Sequence, residues 1–565
     1  MEEKEEVING EKKLEVSSEV ESKVEDSSVN SVKDKKDDAS NDEKKKRKKN
    51  IIITIVIIFV VFIVLGLLMF FIISANDKKD NNTVKSNVTK EEKKSPYRLS
   101  GNSLENFDLY FLQLENNQKN KVYSPLSIKY ALAMLQEGAG GNSKVQINAL
   151  IGDYKSKKYV NSKNMSLANA LFIKDAYKDV VDSKYSEILK NKYNAEVIYD
   201  PFVNPNNLNN WVSNKTFNLI DDLFDDSINE QTFIITNALA IDMEWNKFIQ
   251  ATTDTWKDSY TVVYSHEKFS DFISVIDGDV YSSVKFNDGA INAKSVEIGA
   301  AINNYNIVNE LGEENIRQTI TTEYQKWLQT GGCTEGALDV NTYVDQYIKE
   351  IDSNYKRVDA STDFMLYDDE NVKAFAKDLK EYDGTTLQYV GIMPKDVSLD
   401  NYIKDIDSKD VNNVINNLKE IKAENFKDGV VTRINGYIPL FKFDYELELL
   451  DDLKKLGITD VFDIKKSNLS GIVGNNTAFI SSASHKANIE FSNEGIKAAA
   501  ATQMGGAGAT SCGFEYLYDV PVEEIDLTFD KPYLFIIMDK DTGEVWFTGT
   551  VYEPTVNPVR EGYIQ

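Results

Sequence analysis

An α+β domain behind a single transmembrane helix is the architecture that this sequence of 565 residues predicts. Three patterns carry that expectation. Residues 51–73 contain no charge, residues 126–137 space their apolar side chains as a helix does, and residues 438–449 and 533–538 alternate as strands do.

Taken in chain order, each segment has its own composition. Residues 1–50 hold 13 basic and 15 acidic side chains with almost no aromatics, and read as a disordered tail. As a helix, residues 51–73 extend about 35 Å at ~1.5 Å per residue, enough to cross roughly 30 Å of hydrocarbon. That run is apolar on every face, relieved only by Thr54 and Gly66, and it starts too late and runs too long for a cleaved signal peptide. The cations Lys44, Lys45, Lys46, Arg47, Lys48 and Lys49 stand directly before it, whereas Lys78 and Lys79 behind it are flanked by Asp77 and Asp80. The positive-inside rule therefore predicts a single-pass protein of the cell membrane, with a cytoplasmic N-terminus and an extracellular domain. Residues 74–97 read as a solvated tether, since 76–97 hold six Lys and four acids and no apolar periodicity. The folded domain is expected over 98–556, with an insertion at about 270–363, and a short tail over 557–565.

Composition excludes several functions. With 90 acidic against 64 basic residues the net charge is −26, which argues against a nucleic-acid partner. Cys333 and Cys512 are the only cysteines and His266 and His485 the only histidines. A disulfide-dense scaffold and a Cys/His zinc cluster are thereby ruled out, and neither a metal nor a cofactor is expected. His266 reads as a surface residue. A thiol protease dyad of Cys512 and His485 is disfavoured, because a nucleophile in a Gly-rich loop is not held in register with its base. A disulfide joining Cys333 to Cys512 outside the cell is the other use those thiols suggest.

Residues 495–513 hold Gly495, Ala498, Ala499, Ala500, Ala501, Gly505, Gly506, Gly508 and Gly513, the composition of a protease-accessible loop. A loop of that length inside a compact domain is usually functional, and a low-complexity surface loop is the bland alternative.

Six stretches in order raise the reading further. Tyr123-Ser124-Pro125-Leu126-Ser127-Ile128, with Glu137-Gly138-Ala139-Gly140-Gly141-Asn142-Ser143, resembles the segment that opens the second helix of the serpins, the serine protease inhibitor superfamily. Asn209-Asn210-Trp211-Val212 leading to Thr216 is similar to the helix that lies across that family's main sheet, and Thr236-Asn237-Ala238 through Glu244-Trp245 to a central strand of it. Leu456-Gly457-Ile458-Thr459-Asp460-Val461-Phe462 with Leu469-Ser470-Gly471 resembles another family segment. His485-Lys486-Ala487 leads to Gly495, and Phe529-Asp530-Lys531-Pro532-Tyr533-Leu534-Phe535 to Phe547-Thr548-Gly549 and Pro554. The family would use a few tens of residues between Phe269 and Phe364, where this chain has ninety-odd, and the stretch from Thr510 to Phe529 is also longer than usual.

The resemblance implies a serpin fold, with three β-sheets, about eight to nine helices and an exposed reactive loop. It implies a monomeric inhibitor of serine proteases and no enzyme. A target protease would attack the loop and form an acyl-enzyme, and the cut loop would enter the main sheet as a new strand. Family spacing counted from Asn493 puts the reactive bond at Ala509-Thr510, with Thr510-Ser511 and the bonds next to Cys512 as alternatives. A small residue there suits elastase-like or subtilisin-like proteases. The hinge would be Gly495, Ile496, Lys497 and the run from Ala498 to Ala501. In a strand, Ile496, Ala498, Ala500, Thr502 and Met504 face the buried side while Lys497, Ala499, Ala501 and Gln503 face outward. Ser124, Asn237 and His485 match the family's shutter, and Trp245 the Trp of its breach. Many inhibitory members carry an acid where Asn493 stands and a Lys where Leu440 stands, and Ile496 replaces the usual Thr or Ser. The alternatives are a non-inhibitory serpin serving as a binding or adhesion module, and an insert with its own binding role.

Overall fold

The computed structural model describes residues 95–247, 249, 282–331, 334–474, 478–493, 495, 496, 514, 516 and 518–554. The tail, the apolar run and the tether lie outside the described residues, as do Lys497, Ala498, Ala499, Ala500, Ala501, Ala509, Thr510, His266 and both cysteines. Among the described residues, no helix is long and apolar enough to cross a membrane.

From the first described residue the elements are α1 (Asn106–Leu114), β1 (Lys121–Tyr123), α2 (Pro125–Gly138), α3 (Gly141–Ile151), β2 (Met165–Lys174), α4 (Ser183–Tyr193), β3 (Glu196–Asp200) and α5 (Asn206–Lys215). There follow β4 (Phe233–Ile241), β5 (Met243–Glu244), β6 (Ser282–Phe286), β7 (Ile291–Asn303), α6 (Ile307–Leu311), α7 (Glu313–Thr330), α8 (Val340–Ser353) and β8 (Arg357–Ala360). Then come β9 (Met365–Asp368), β10 (Val372–Asp378), β11 (Leu387–Pro394), α9 (Leu399–Asp405), α10 (Ser408–Asn416), β12 (Lys419–Glu420) and β13 (Val431–Pro439). The chain closes with β14 (Phe441–Glu448), α11 (Leu449–Lys455), β15 (Ser484–Phe491), β16 (Gly495–Ile496), β17 (Val522–Asp526), β18 (Tyr533–Asp539) and β19 (Val545–Val551).

Local chemistry explains the boundaries that matter. Helix α2 starts where the Ser124 hydroxyl accepts from the Ser127 amide (3.1 Å) and Pro125 fills the first turn, in which its missing N–H costs nothing. The alternation over 438–449 belongs to two strands. Pro439 cannot donate to a ladder, so β13 ends there and β14 begins at Phe441 in a different sheet. Strands β18 and β19 are buried along their whole length; β18 is apolar from Tyr533 to Met538, whereas β19 carries Thr548 and Thr550 among its apolar residues.

Hydrogen bonding divides the strands into four sheets, where the resemblance implies three. A seven-stranded sheet runs β1-β19-β18-β11-β10-β9-β12, and a second sheet runs β17-β13-β7-β6 with β8 also on β7. The other two are β14-β15-β16-β5 and β3-β2-β4. Because β4 passes into β5 through Asp242 alone, these last two are halves of one layer, joined at β5 and parted between β4 and β15. The seven-stranded sheet lies between the two large apolar clusters, with Ala374, Val390 and Ile536 in one and Phe375, Tyr389 and Ile537 in the other. Helix α5 rests on β2 through Trp211, edge-on to Phe172 at 5.5 Å. Of the eleven α-helices among the described residues, eight lie outside the span 304–356, in which α6, α7 and α8 form a separate cluster with Ile316, Ile320, Val344 and Ile348 buried. Strands β6 and β7 also fall within 270–363, yet β7 pairs over nine residues with β13 of the body.

Candidate functional site

The parted layer frames the site. One edge of β15 is paired with β14 from Ser484 to Phe491, while on its other edge the partner among the described residues is β16, through Phe491 alone. Strand β4 is paired with β2 over its whole length. Between the edges of β4 and β15, which are otherwise unpaired among the described residues, lies a cavity of about 440 Å³, lined by Ile235, Asn237 and Leu239 on one side, His485 and Lys486 on the other, and by Ser127. Lys486 reaches Asp222, in the segment leading into β4, at 2.5 Å.

At one end of this gap the chain turns from β15 back into the layer. Gly495 pairs with Glu244, and Ile496 with Met243 on one side and Phe491 on the other. Ile496 is 2 % exposed, so its side chain faces the core. Gly495 is required by proximity, since a Cβ there would lie 2.2 Å from the Met243 carbonyl oxygen and 2.7 Å from Glu244 Cα. Ser492 pins the turn. Its Oγ donates to the Gly495 carbonyl (3.0 Å), and its own carbonyl accepts from Trp245 Nε1 (2.9 Å).

Beneath the gap the structure brings Ser124 and His485 together, with the Ser124 amide donating to His485 Nε2 at 2.9 Å. Burial pushes the His485 imidazole down to about 4, so it is neutral and able to accept. Asn237 stands one step away. Its side-chain amide donates to Asn169 Oδ1 (2.8 Å), the residue directly opposite on β2, and its main-chain carbonyl accepts from Ser127 Oγ (3.5 Å). Asn237 Oδ1 is buried with no hydrogen-bond partner among the described residues. Sequence reasoning missed Asn169 and Ser127, which belong to this polar group by register and by helix position.

Trp245 is 2 % exposed and packs edge-on to Phe491 (5.4 Å) and Tyr389 (6.1 Å). Above its ring lies the Lys377 ammonium, 5.9 Å from the centroid, on a residue that is fully buried. Lys377 donates to Thr362 Oγ1 and to the Asp363 carbonyl, both at 2.8 Å, and pairs with the Asp363 carboxylate. Burial nonetheless holds its pKa below the usual lysine range. A charged pair thus sits beside Trp245, although Asn493 and Leu440 supply none. No pattern in the sequence marked Lys377, which lies one residue from the end of β10 between other charged residues, Lys373 and Asp378.

The arrangement can take one more strand between β4 and β15, with its first two residues already in place. Comparison with known proteins agrees with the architecture. The profile of the family described as Serpin (serine protease inhibitor) matches residues 106–274 and 354–554, more than half of the chain, and skips the span that holds α6, α7 and α8. The chain belongs to the serpin family, whose members are generally protease inhibitors. It is 26% identical over 497 residues to a serpin-like protein of Methanosarcina mazei, covering 83% of this chain and 91% of that one. It is 31% identical over 224 residues to the human leukocyte elastase inhibitor, covering 37% of this chain and 55% of the relative. The native state of the thermophilic serpin tengpin superposes with a TM-score of 0.51 at 20% identity, over 85% of this chain and 98% of that one, which shows the shared fold.

Proposed function

We propose that the chain is a membrane-tethered extracellular inhibitor of serine proteases, consumed once per target. A protease cuts Ala509-Thr510 and is held as an acyl-enzyme while residues from Lys497 onward extend β16 into the parted layer. The observation that carries this reading is the gap itself, whose edges face a cavity at the end of which Gly495 and Ile496 already bridge β15 and β5. Projecting their register, 495 on 244 and 496 on 243, would set Ala498, Ala500, Thr502 and Met504 opposite Ile241, Leu239, Asn237 and Ile235. Those four positions line one face of β4 and include Leu239 and Ile241 of the core. The small residue at 509 and the relative named for inhibiting leukocyte elastase both favour an elastase-like target. His485 is not positioned as a general base for Cys512, because its Nε2 is already engaged by the Ser124 amide. The tether reading rests on the uncharged run 51–73 and the basic cluster before it. The protein acts as a monomer in this scheme.

Full-length protein solubilised in detergent and mixed with pancreatic elastase tests the inhibitory reading. A complex that survives SDS supports it, and plain cleavage of the 497–513 segment favours a binding or adhesion module. Protease added to intact cells should cut near residue 509, and protection until lysis would overturn the topology.

A further inference from the structure

Two places where this chain outruns the family pattern meet in space. The helices of the insert and the stretch after the reactive bond share one apolar cluster, in which Ile316, Ile320, Val344 and Ile348 pack with Val520, and Phe514, Tyr516 and Tyr518 lie against them. Phe514, Tyr516, Tyr518 and Val520 are alternate residues, so an extended segment turns them all to one side. Tyr324 and Trp327 on α7, and Tyr343 and Tyr347 on α8, are spaced by three or four residues and share a helix face. Tyr343 stacks on Tyr324 at 3.9 Å with planes 7° apart, and the Phe514 ring stands edge-on to both, at 5.6 and 5.2 Å. Tyr343 Oη donates to the Phe514 carbonyl (3.2 Å) and Tyr347 Oη to the Tyr516 carbonyl (3.0 Å). These bonds go to the main chain, so the helices hold the segment's backbone as well as its rings.

We propose that α6, α7 and α8 form a clasp that grips the C-terminal stem of the reactive segment and keeps the uncut chain from feeding itself into its own gap. The proposal rests on the strand-insertion reading above. While uncut, the segment is held at Ile496 and at Phe514. The clasp sits at the Val431 end of β13, and the other end of β13 leads into β14, where Phe441 faces Phe491 beside Ile496. Filling the gap down to Phe233 would draw in residues as far as Gly506, about 33 Å of strand at ~3.3 Å per residue. The eight residues from there to Phe514 reach at most about 29 Å, too few to retrace that length with the clasp shut. Released from the clasp, the next anchorage is the Pro521 carbonyl on the Val431 amide (2.9 Å), at the start of β17, an edge strand paired with β13 alone, and the reach is then about 54 Å. Cutting at Ala509 frees the N-terminal part without disturbing the clasp. The device therefore opposes insertion before cleavage and leaves insertion after cleavage untouched.

The test compares full-length wild type with Phe514→Ala, with the double variant Tyr343→Phe/Tyr347→Phe, and with Lys349→Ala, an exposed control on α8. Each is incubated without target protease about ten degrees below its melting point. The fraction still cleavable in 497–513 and the melting temperature of the resistant fraction are followed over time. Phe514→Ala should lose cleavability about tenfold faster than wild type and the Tyr pair about threefold faster, with a rise in melting temperature, while Lys349→Ala follows wild type. Equal rates in all four, including no conversion in any, overturn the clasp. Protein nicked at the loop separates the two readings. If it melts no higher than intact protein, the layer takes no strand and the functional reading falls with the clasp, whereas higher melting with equal conversion rates refutes the clasp alone.

Discussion

The main-chain amide of Ser124 and the Nε2 of His485, 361 positions apart in the sequence, meet at 2.9 Å beneath the parted strands. The bond needs a neutral imidazole, and burial supplies one by lowering its pKa to about 4.

A pH dependence follows. Above about 6.5 the histidine is neutral in both folded and unfolded chains. Between about 6.5 and 4 the unfolded chain takes up a proton that the fold refuses, so this residue's contribution to stability is lost as pH falls through that window, on the order of 3 kcal/mol in all. Below about 4 the loss levels off. Denaturant unfolding of wild type and His485→Gln at pH 7.5, 5.5 and 4 should show the difference between them shrinking as pH falls. A difference independent of pH would refute the assignment.

Asn237 Oδ1, buried without a partner among the described residues, lies where the projected register brings Thr502. Once the segment is inserted, the Thr502 hydroxyl is placed to donate to it. Thr502→Val should therefore leave the intact protein unchanged and lower the unfolding free energy of the cleaved form by about 1–3 kcal/mol. Guanidinium titration of both forms measures this, and equal effects on the two would sink the register.

Gly495→Ala pushes a methyl group into the Met243 carbonyl. Backbone must shift to receive it, at a cost of about 1–3 kcal/mol, so the first residues of β16 should leave the layer. The expected result is a lower melting temperature of the intact protein and more inhibitor consumed per protease inactivated. Wild-type values for both would mean that the β16 pairing does not persist in solution.

Ala500→Arg should turn the inhibitor into a substrate. Ile496 faces the core, and alternation from it carries residue 500 to the same side, opposite Leu239. An unpaired guanidinium there costs several kcal/mol, and insertion becomes slower than release of the protease. Ala501→Arg, turned outward, should do much less damage. Stoichiometry of inhibition with elastase separates them, and equal values for the two variants would refute the parity.

The family was legible in the sequence because its motifs are local: a capped helix start at Ser124-Pro125, the Trp211 segment, and the closing strands around Tyr533 and Phe547 each carry their own pattern of period and cap. What the tertiary structure alone decided is which polar and aromatic groups meet. Asn169 joins Asn237 only because β2 and β4 pair in that register, and Lys377, a buried partner of Asp363, lies beside Trp245 only because Trp245 bridges to Leu379 just past the end of β10. The close approach of Met243 to Gly495, which leaves no room for a Cβ, is also a matter of packing. Tyr343 and Tyr347 likewise face Phe514 and Tyr516 across some 170 residues of chain, which no local spacing encodes. Period and capping are properties of neighbours in sequence, whereas register, proximity and burial are set by the packing of distant segments, and these decided the contacts around His485 and around Phe514.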